Sequence, residues 1–229
     1  MTNTQLLVAE TAAQRSEFRS IDLIGRALAG DVTRELYAGF LTQAYYHVRH
    51  TVPLLMAVGA RLPERLRWLQ APIVHYIEEE AGHDEWILGD LDALGLDANA
   101  VRSGAPAVQT EAMVAYAYDF VARRAPVGFF GMVHVLEGTS SALALSAADS
   151  IQRALGLPDR ALTYLRTHGH LDQQHVEDFS SIVDRLDRAE DLPWIVECAQ
   201  AIYWLYGNIF RSLGQHHVPH RDGLARRCA

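Results

Sequence analysis

The sequence predicts an all-α fold, a single-domain bundle of about seven helices, and three observations carry that expectation. Apolar residues recur at helical spacing through seven long stretches. Gly30, Gly95 and Gly156 stand where those stretches stop, as residues tolerant of a left-handed cap do. No segment alternates as a strand does, and none repeats another. Helices of roughly 15 to 30 residues exceed the average and suit a bundle. Residues 1–215 form the expected domain and 216–229 a tail.

Composition narrows the function classes. The chain has 229 residues, 49% hydrophobic and 21% charged, enough for a sizeable core. A formal charge of −8 and a pI near 5.7 argue against nucleic acid or an anionic membrane as partner. No apolar run reaches the length of about 18 residues needed to span a bilayer, and the N-terminus lacks the pattern of a signal peptide, so a cytoplasmic location is expected. Cys198 and Cys228 make neither a zinc pattern nor a disulfide framework. All 20 positive side chains are arginine, which excludes a Schiff base or a lysine nucleophile.

In chain order, residues 3–29 read as one amphipathic helix ended by Gly30, after which Asp31 can cap the next. The second helix runs from about 32 to 61, kinked at Pro53, with His47 on a stripe shared with Leu36, Phe40, Gln43 and Leu54. A third begins near Pro63 or Pro72 and reaches Gly95; its stripe is set by Ile73, Ile77, Leu88 and Leu91. Glu80 and Asp84 fall on that stripe and His83 on its shoulder, whereas Glu78 and Glu79 point away. After a loop of about 14 residues come a fourth helix at 109–124 and a fifth opened by Pro126. The fifth centres Glu137 on a stripe of Phe130, Val133, Ala144 and Ala148, with His134 about one turn earlier. Gly138 to Ala142, including Ser141, leave room beside a carboxylate whose burial needs an offsetting cation or hydrogen bonds. The sixth helix, 158–187, carries HGHLDQQHVEDF, and the seventh, 193–214, is rich in aromatics that read as packing.

His168, Asp172 and His175 stand at i, i+4 and i+7, within roughly 60° of one another on the apolar face of the sixth helix. Two imidazoles and a carboxylate are a common ligand set for iron, manganese or zinc. They are equally a set of core histidines hydrogen-bonded to an aspartate. Glu80 with His83, Glu137, and the triplet together offer three carboxylates and three imidazoles, enough for two metals with open positions. A ferritin-like bundle would use two Glu-x-x-His helices, and only one occurs; no His-Glu-x-x-His of a zincin is present.

At these residues the chain resembles the haem-oxygenase-like di-iron oxidases and oxygenases, whose fold is shared with thiaminase II, pyrroloquinoline-quinone synthase and haem oxygenase. Its members draw ligands from a helix with Glu and His, a helix with one Glu, and a helix spaced His-x3-Asp-x2-His. Glu80 and His83, then Glu137, then His168, Asp172 and His175 match in order, and EEEAGHDEW and VLEGTS are similar to family segments. The spacing of the first Glu and His varies in the family. Three departures narrow the choice. Haem oxygenase takes its axial histidine from the first helix, whereas the first histidine here is His47. The cysteines lie too late to match that of thiaminase II, and relatives that form para-aminobenzoate need a lysine.

The resemblance implies two iron ions, or manganese, with O2 as co-substrate, metal ligands Glu80, His83, Glu137, His168, Asp172 and His175, and His47, Asp84, His134 and Ser141 around them. It also implies a homodimer, and an external reductant where turnover needs one. Two ferrous ions carry four positive charges against three negative charges on the ligand carboxylates, so the expected substrate is a small molecule bearing a carboxylate, bound to the metals or beside them. The alternatives are a metal-free oxidase using His and Tyr as acid and base, and a non-catalytic metal-binding helical module.

Overall fold

The computed structural model describes residues 1–214, the side chains of Asp172, Gln173 and Gln174 excepted. The tail histidines His216, His217 and His220 and Cys228 lie outside the described residues. The described chain is helical throughout its ordered elements, with no strand. The α-helices are α1 (Asn3–Glu10), α2 (Ala12–Arg19), α3 (Asp22–Ala29), α4 (Arg34–Val48), α5 (Thr51–Gly59), α6 (Gln70–Glu80), α7 (His83–Ala93), α8 (Ala98–Ser103), α9 (Val108–Arg123), α10 (Phe129–Leu155), α11 (Thr163–Val183) and α12 (Leu192–Gly214). Short 3-10 turns precede α6, α10 and α11.

The seven predicted helical runs are all present, and the first three are subdivided. The first breaks at Thr11 and again at Ser20–Ile21 to give α1, α2 and α3, which ends at Gly30 with φ 76° as expected. Thr33, not Asp31, caps α4: its hydroxyl accepts from the Leu36 amide at 3.2 Å, while Asp31 accepts from Arg26 Nε at 2.9 Å. The second run breaks at Arg49–His50, ahead of Pro53, which then sits in the first turn of α5. That position suits a residue whose ring collides with the carbonyl four places back and which has no amide to donate. The third run breaks at Ala81–Gly82, where Gly82 takes φ 91°. The predicted loop after Gly95 contains α8, capped by the Asp97 carboxylate on the Asn99 and Ala100 amides.

The long helices α10, α11 and α12 form the centre, and α10 packs along both of the others. Gly169 permits the α10–α11 approach, since a Cβ there would stand 2.8 Å from Leu145 Cγ. The predicted stripes face this centre: Ile73, Leu88, Leu91, Phe130, Val133, Ala144, Ala148, Leu165, Phe179 and Val183 are all buried. The aromatics of α12 pack largely inward, Tyr206 stacking on Phe18 at 5.3 Å, while Trp204 is exposed. Gln43 is a tie between helices: its carbonyl accepts from the Ala107 amide at 3.0 Å and the Thr110 hydroxyl at 2.7 Å, fixing α4 to the start of α9.

Candidate metal centre

Two anchors set the helices that bear the candidate ligands. Asp90, fully buried on α7, accepts from the Thr163 and Tyr164 amides at 2.9 and 2.8 Å. It therefore satisfies two orphan amides at the start of α11, one turn ahead of His168. Burial raises the Asp90 pKa and these backbone hydrogen bonds oppose the rise. The second anchor is the αL turn at Gly82, which ends α6 at Glu80 and starts α7 at His83. The pair thus meets across a helix break instead of along one helix face, with Glu80 Oε2 3.2 Å from His83 Nδ1.

Around Glu80 the side chains form two groups of three. Glu80, His83 and His168 make one and Glu80, Glu137 and His175 the other, the potential ligand atoms of each lying within 4.8 Å of one another. Glu80 belongs to both. His175 Nδ1 is 3.8 Å from Glu80 Oε1 and 3.7 Å from Glu137 Oε1. Glu80, His83, Glu137 and His175 are buried, and His168 is half-buried with its Nε2 shielded from water. The ring of His83 stacks on Trp86 at 4.0 Å and meets His168 edge-on at 4.8 Å; Tyr164 packs on His168 at 4.7 Å and Tyr76 on His175 at 5.4 Å.

These residues fit a metal. Buried carboxylates in mutual proximity repel unless a cation or proton sits among them. The Nδ1 of His83 faces Glu80 but makes no hydrogen bond with any described atom, an arrangement that a shared cation would satisfy. Mixed imidazole and carboxylate donors suit iron, manganese or zinc, and a carboxylate common to two groups is how two ions are bridged. The Asp172 side chain, the sixth expected ligand, lies outside the described residues.

Glu79 overturns part of the helical-phase reading. Glu78 is exposed as expected, but Glu79 is half-buried and its Oε2 lies 3.5 Å from His175 Nε2, while its Oε1 lies 3.5 Å from His75 Nε2. A carboxylate behind a ligating histidine fixes its tautomer and orientation. Helical phase points Glu79 away, but α6 ends one residue later and a glutamate is long enough to swing round to the site.

The surrounding expectations divide. His47 lines a chamber of about 60 Å³ with Tyr76, Glu80, Glu137, Ser140 and His168. Burial, then the nearby His168 and His50, pushes its pKa down to about 3. His134 is not in that chamber: its Nε2 is 3.2 Å from Thr11 Oγ1, and burial with the Arg15 charge pushes its pKa down to about 4. The Thr11 hydroxyl already donates to the Leu7 carbonyl at 2.7 Å, so the His134 Nε2 is the donor. Ser141 is half-buried, its hydroxyl 3.4 Å from the Gly138 carbonyl, and borders a cleft reaching Glu137. Asp84 is half-buried, stands outside both ligand groups, and helps raise the Arg102 pKa. Cys198 is buried, and burial pushes its thiol up to about 12, so it stays protonated. An apolar cavity of about 110 Å³, lined by Phe18, Leu36, Phe40, Leu143 and Ala147, shares Ser140, Tyr164, His168 and Tyr206 with the chamber.

Solved structures share the fold. A domain of unknown function with a heme oxygenase-like fold from Shewanella denitrificans superposes with a TM-score of 0.82 at 24% identity, covering 94% of this chain and 93% of that one. A TenA homologue from Pseudomonas syringae gives 0.80 at 9% identity over 93% of each chain. The heme oxygenase-1 of Synechocystis, solved with heme, gives 0.71 at 14% identity over 94% and 93%. These likenesses establish the haem-oxygenase-like fold. No curated protein matches the sequence. The family model for iron-containing redox enzymes matches residues 38–207, a span that holds all six expected ligands, and the chain therefore belongs to the iron-containing redox enzyme family.

Proposed function

We propose that the protein is an oxidase or oxygenase that uses two buried metal ions, iron foremost, to activate O2 against a small organic acid. The observation that supports this most is that Glu80 belongs to both three-residue ligand groups. A single structural metal would need only one of them.

Glu80, His83 and His168 would hold one ion, and Glu80, Glu137 and His175 the other. Bound ferrous ions would supply the electrons that dioxygen needs, and an external reductant would restore them where turnover requires it. The remaining work belongs to the chain. Glu79 orients the His175 ring from behind, at 3.5 Å from Nε2. Trp86, Tyr164 and Tyr76 pack the imidazole rings in place. The apolar cavity beside His168 keeps bulk water from the chamber and strengthens every electrostatic interaction within it.

Anaerobic Fe(II) titration followed by O2 exposure tests the proposal. The wild type should bind two ions per chain and consume O2 once loaded, and Glu80→Gln should lose both ions together. Binding of one ion or none, or a Glu80→Gln variant that still binds two, would refute it. A protein that oxidises without bound metal would instead point to acid–base chemistry by histidine and tyrosine.

A further inference from the structure

We infer that the substrate's carboxylate is captured by Arg15 and Arg19, at a second mouth of the site on the α2 side of Glu137. The inference rests on the reading of the site as an oxidase of a small organic acid, and it places the acid group at the arginines instead of at the metals, where charge balance alone would put it.

A cleft of about 290 Å³ runs between α2, α10, α11 and α12, bordered by Arg15, Arg19, Glu137, Gly138, Ser141 and Tyr203. Arg15 and Arg19 stand at i and i+4 on α2, hence on one face. About half of the described arginines form ion pairs, such as Arg65 with Glu190 and Asp191, Arg102 with Glu85, and Arg166 with Asp149. No such pair includes Arg15 or Arg19 among the described residues. Acid is not scarce, since the chain has 28 Asp and Glu against 20 Arg. The acid nearest in sequence, Glu17, is turned away to Arg211 at 2.8 Å.

Arg15 is held where an anion could meet it. It donates to the Val8 carbonyl at 3.4 Å, and its charge reaches Tyr203 and His134 on the same cleft. A guanidinium presents a planar fork matched to a carboxylate, and two stacked along one helix face leave several donors for a single acid. Gly138 adds no bulk to the cleft wall beside Glu137, and a Cβ built there would meet nothing within 4 Å. At its inner end stands Glu137, which repels an anion. A carboxylate entering this cleft is thus favoured at the arginines and disfavoured at the glutamate, and the body of the substrate is what reaches the ligand cluster.

Calorimetry on the metal-free full chain tests this, with straight-chain carboxylates from acetate to octanoate as probes, alongside their methyl esters and inorganic phosphate. At least one acid should bind, with its ester at least about tenfold weaker, as losing a charge-assisted hydrogen bond implies. Added salt should weaken the acid. Arg15→Gln/Arg19→Gln should cost at least about tenfold, as should Arg19→Gln alone, at an exposed position where misfolding is not a concern. Ala147→Phe, which narrows the apolar cavity, should leave binding unchanged. Failure of every acid to bind, equal binding by the Gln variants, esters equal to acids, loss with Ala147→Phe instead, or preference for phosphate over every carboxylate would each overturn the inference. Fe(II) titration of the double Gln variant keeps the two readings apart: it should still take up two ions per chain, and a wild type that takes up none refutes the metal reading while leaving the anion result standing.

Discussion

Glu79 and Glu80, neighbours in the chain, address the two nitrogens of one ring: Glu79 Oε2 lies 3.5 Å from His175 Nε2 and Glu80 Oε1 3.8 Å from His175 Nδ1. The half-buried glutamate takes the outer nitrogen and the buried one the inner. With the Nε2 proton directed to Glu79, the Nδ1 lone pair faces Glu80 and Glu137, the state a ligand must adopt. Glu79→Gln should therefore weaken metal binding by about 10- to 100-fold without abolishing it. Glu80→Gln should abolish it, and Glu78→Gln should change nothing. Anaerobic Co(II) or Fe(II) titrations of the three variants separate these outcomes.

Metal should stabilise the fold. A ligand that binds only the native state adds about 2.7 kcal/mol at a hundredfold excess over its dissociation constant, so the Tm should rise by several degrees on Fe(II) addition and return with a chelator. His168→Ala should remove most of that rise. Calorimetric scans with and without metal measure it, and binding should also release protons into a weak buffer.

The half-buried His134 should make stability depend on pH. Its folded pKa of about 4 lies below the unfolded value of 6.5, so the unfolded chain binds more protons between the two. Stability from this group is complete above pH 6.5 and is lost as pH falls toward 4, on the order of 3 kcal/mol in all. His134→Gln should flatten the acid limb of a denaturation series run across that window.

Asp90 ties α7 to α11, and Asp90→Ala should leave the Thr163 and Tyr164 amides without their acceptor. A cost of about 2–4 kcal/mol is expected for two buried donors, read by urea denaturation. Asp90→Asn, which keeps an acceptor oxygen, should recover part of it. Because His168 lies one turn beyond, the Ala variant should also bind metal more weakly than its stability loss alone explains.

The helical periods of α6, α10 and α11 were readable because each presents an apolar stripe to the centre, and that stripe carried Glu80, Glu137 and His175 inward with it. The breaks were not readable. Thr11, Ser20–Ile21 and Arg49–His50 continue an amphipathic pattern, and the chain turns there to follow the central helices, a tertiary preference that local spacing does not encode. Glu79 escapes the helical phase because a position that points away on an ideal helix ignores the reach of a glutamate at a helix end. Arg15 and Arg19 carry no local sequence signal, since what distinguishes them is the cleft they share with residues of α10 and α12, more than a hundred residues away.

The αL turn at Gly82 decides where this chain can tolerate an added residue. Glu80 closes one helix and His83 opens the next, so their separation is governed by a two-residue hinge and not by helical pitch. Within one helix, adding a residue between two ligands would rotate the second about 100° away from the site. Across a hinge, an added residue lengthens only the turn, and each ligand keeps the face its own helix gives it. A residue inserted at Ala81–Gly82 should then leave the site intact, whereas one inserted within the His-x3-Asp-x2-His register of α11 has no hinge to absorb it.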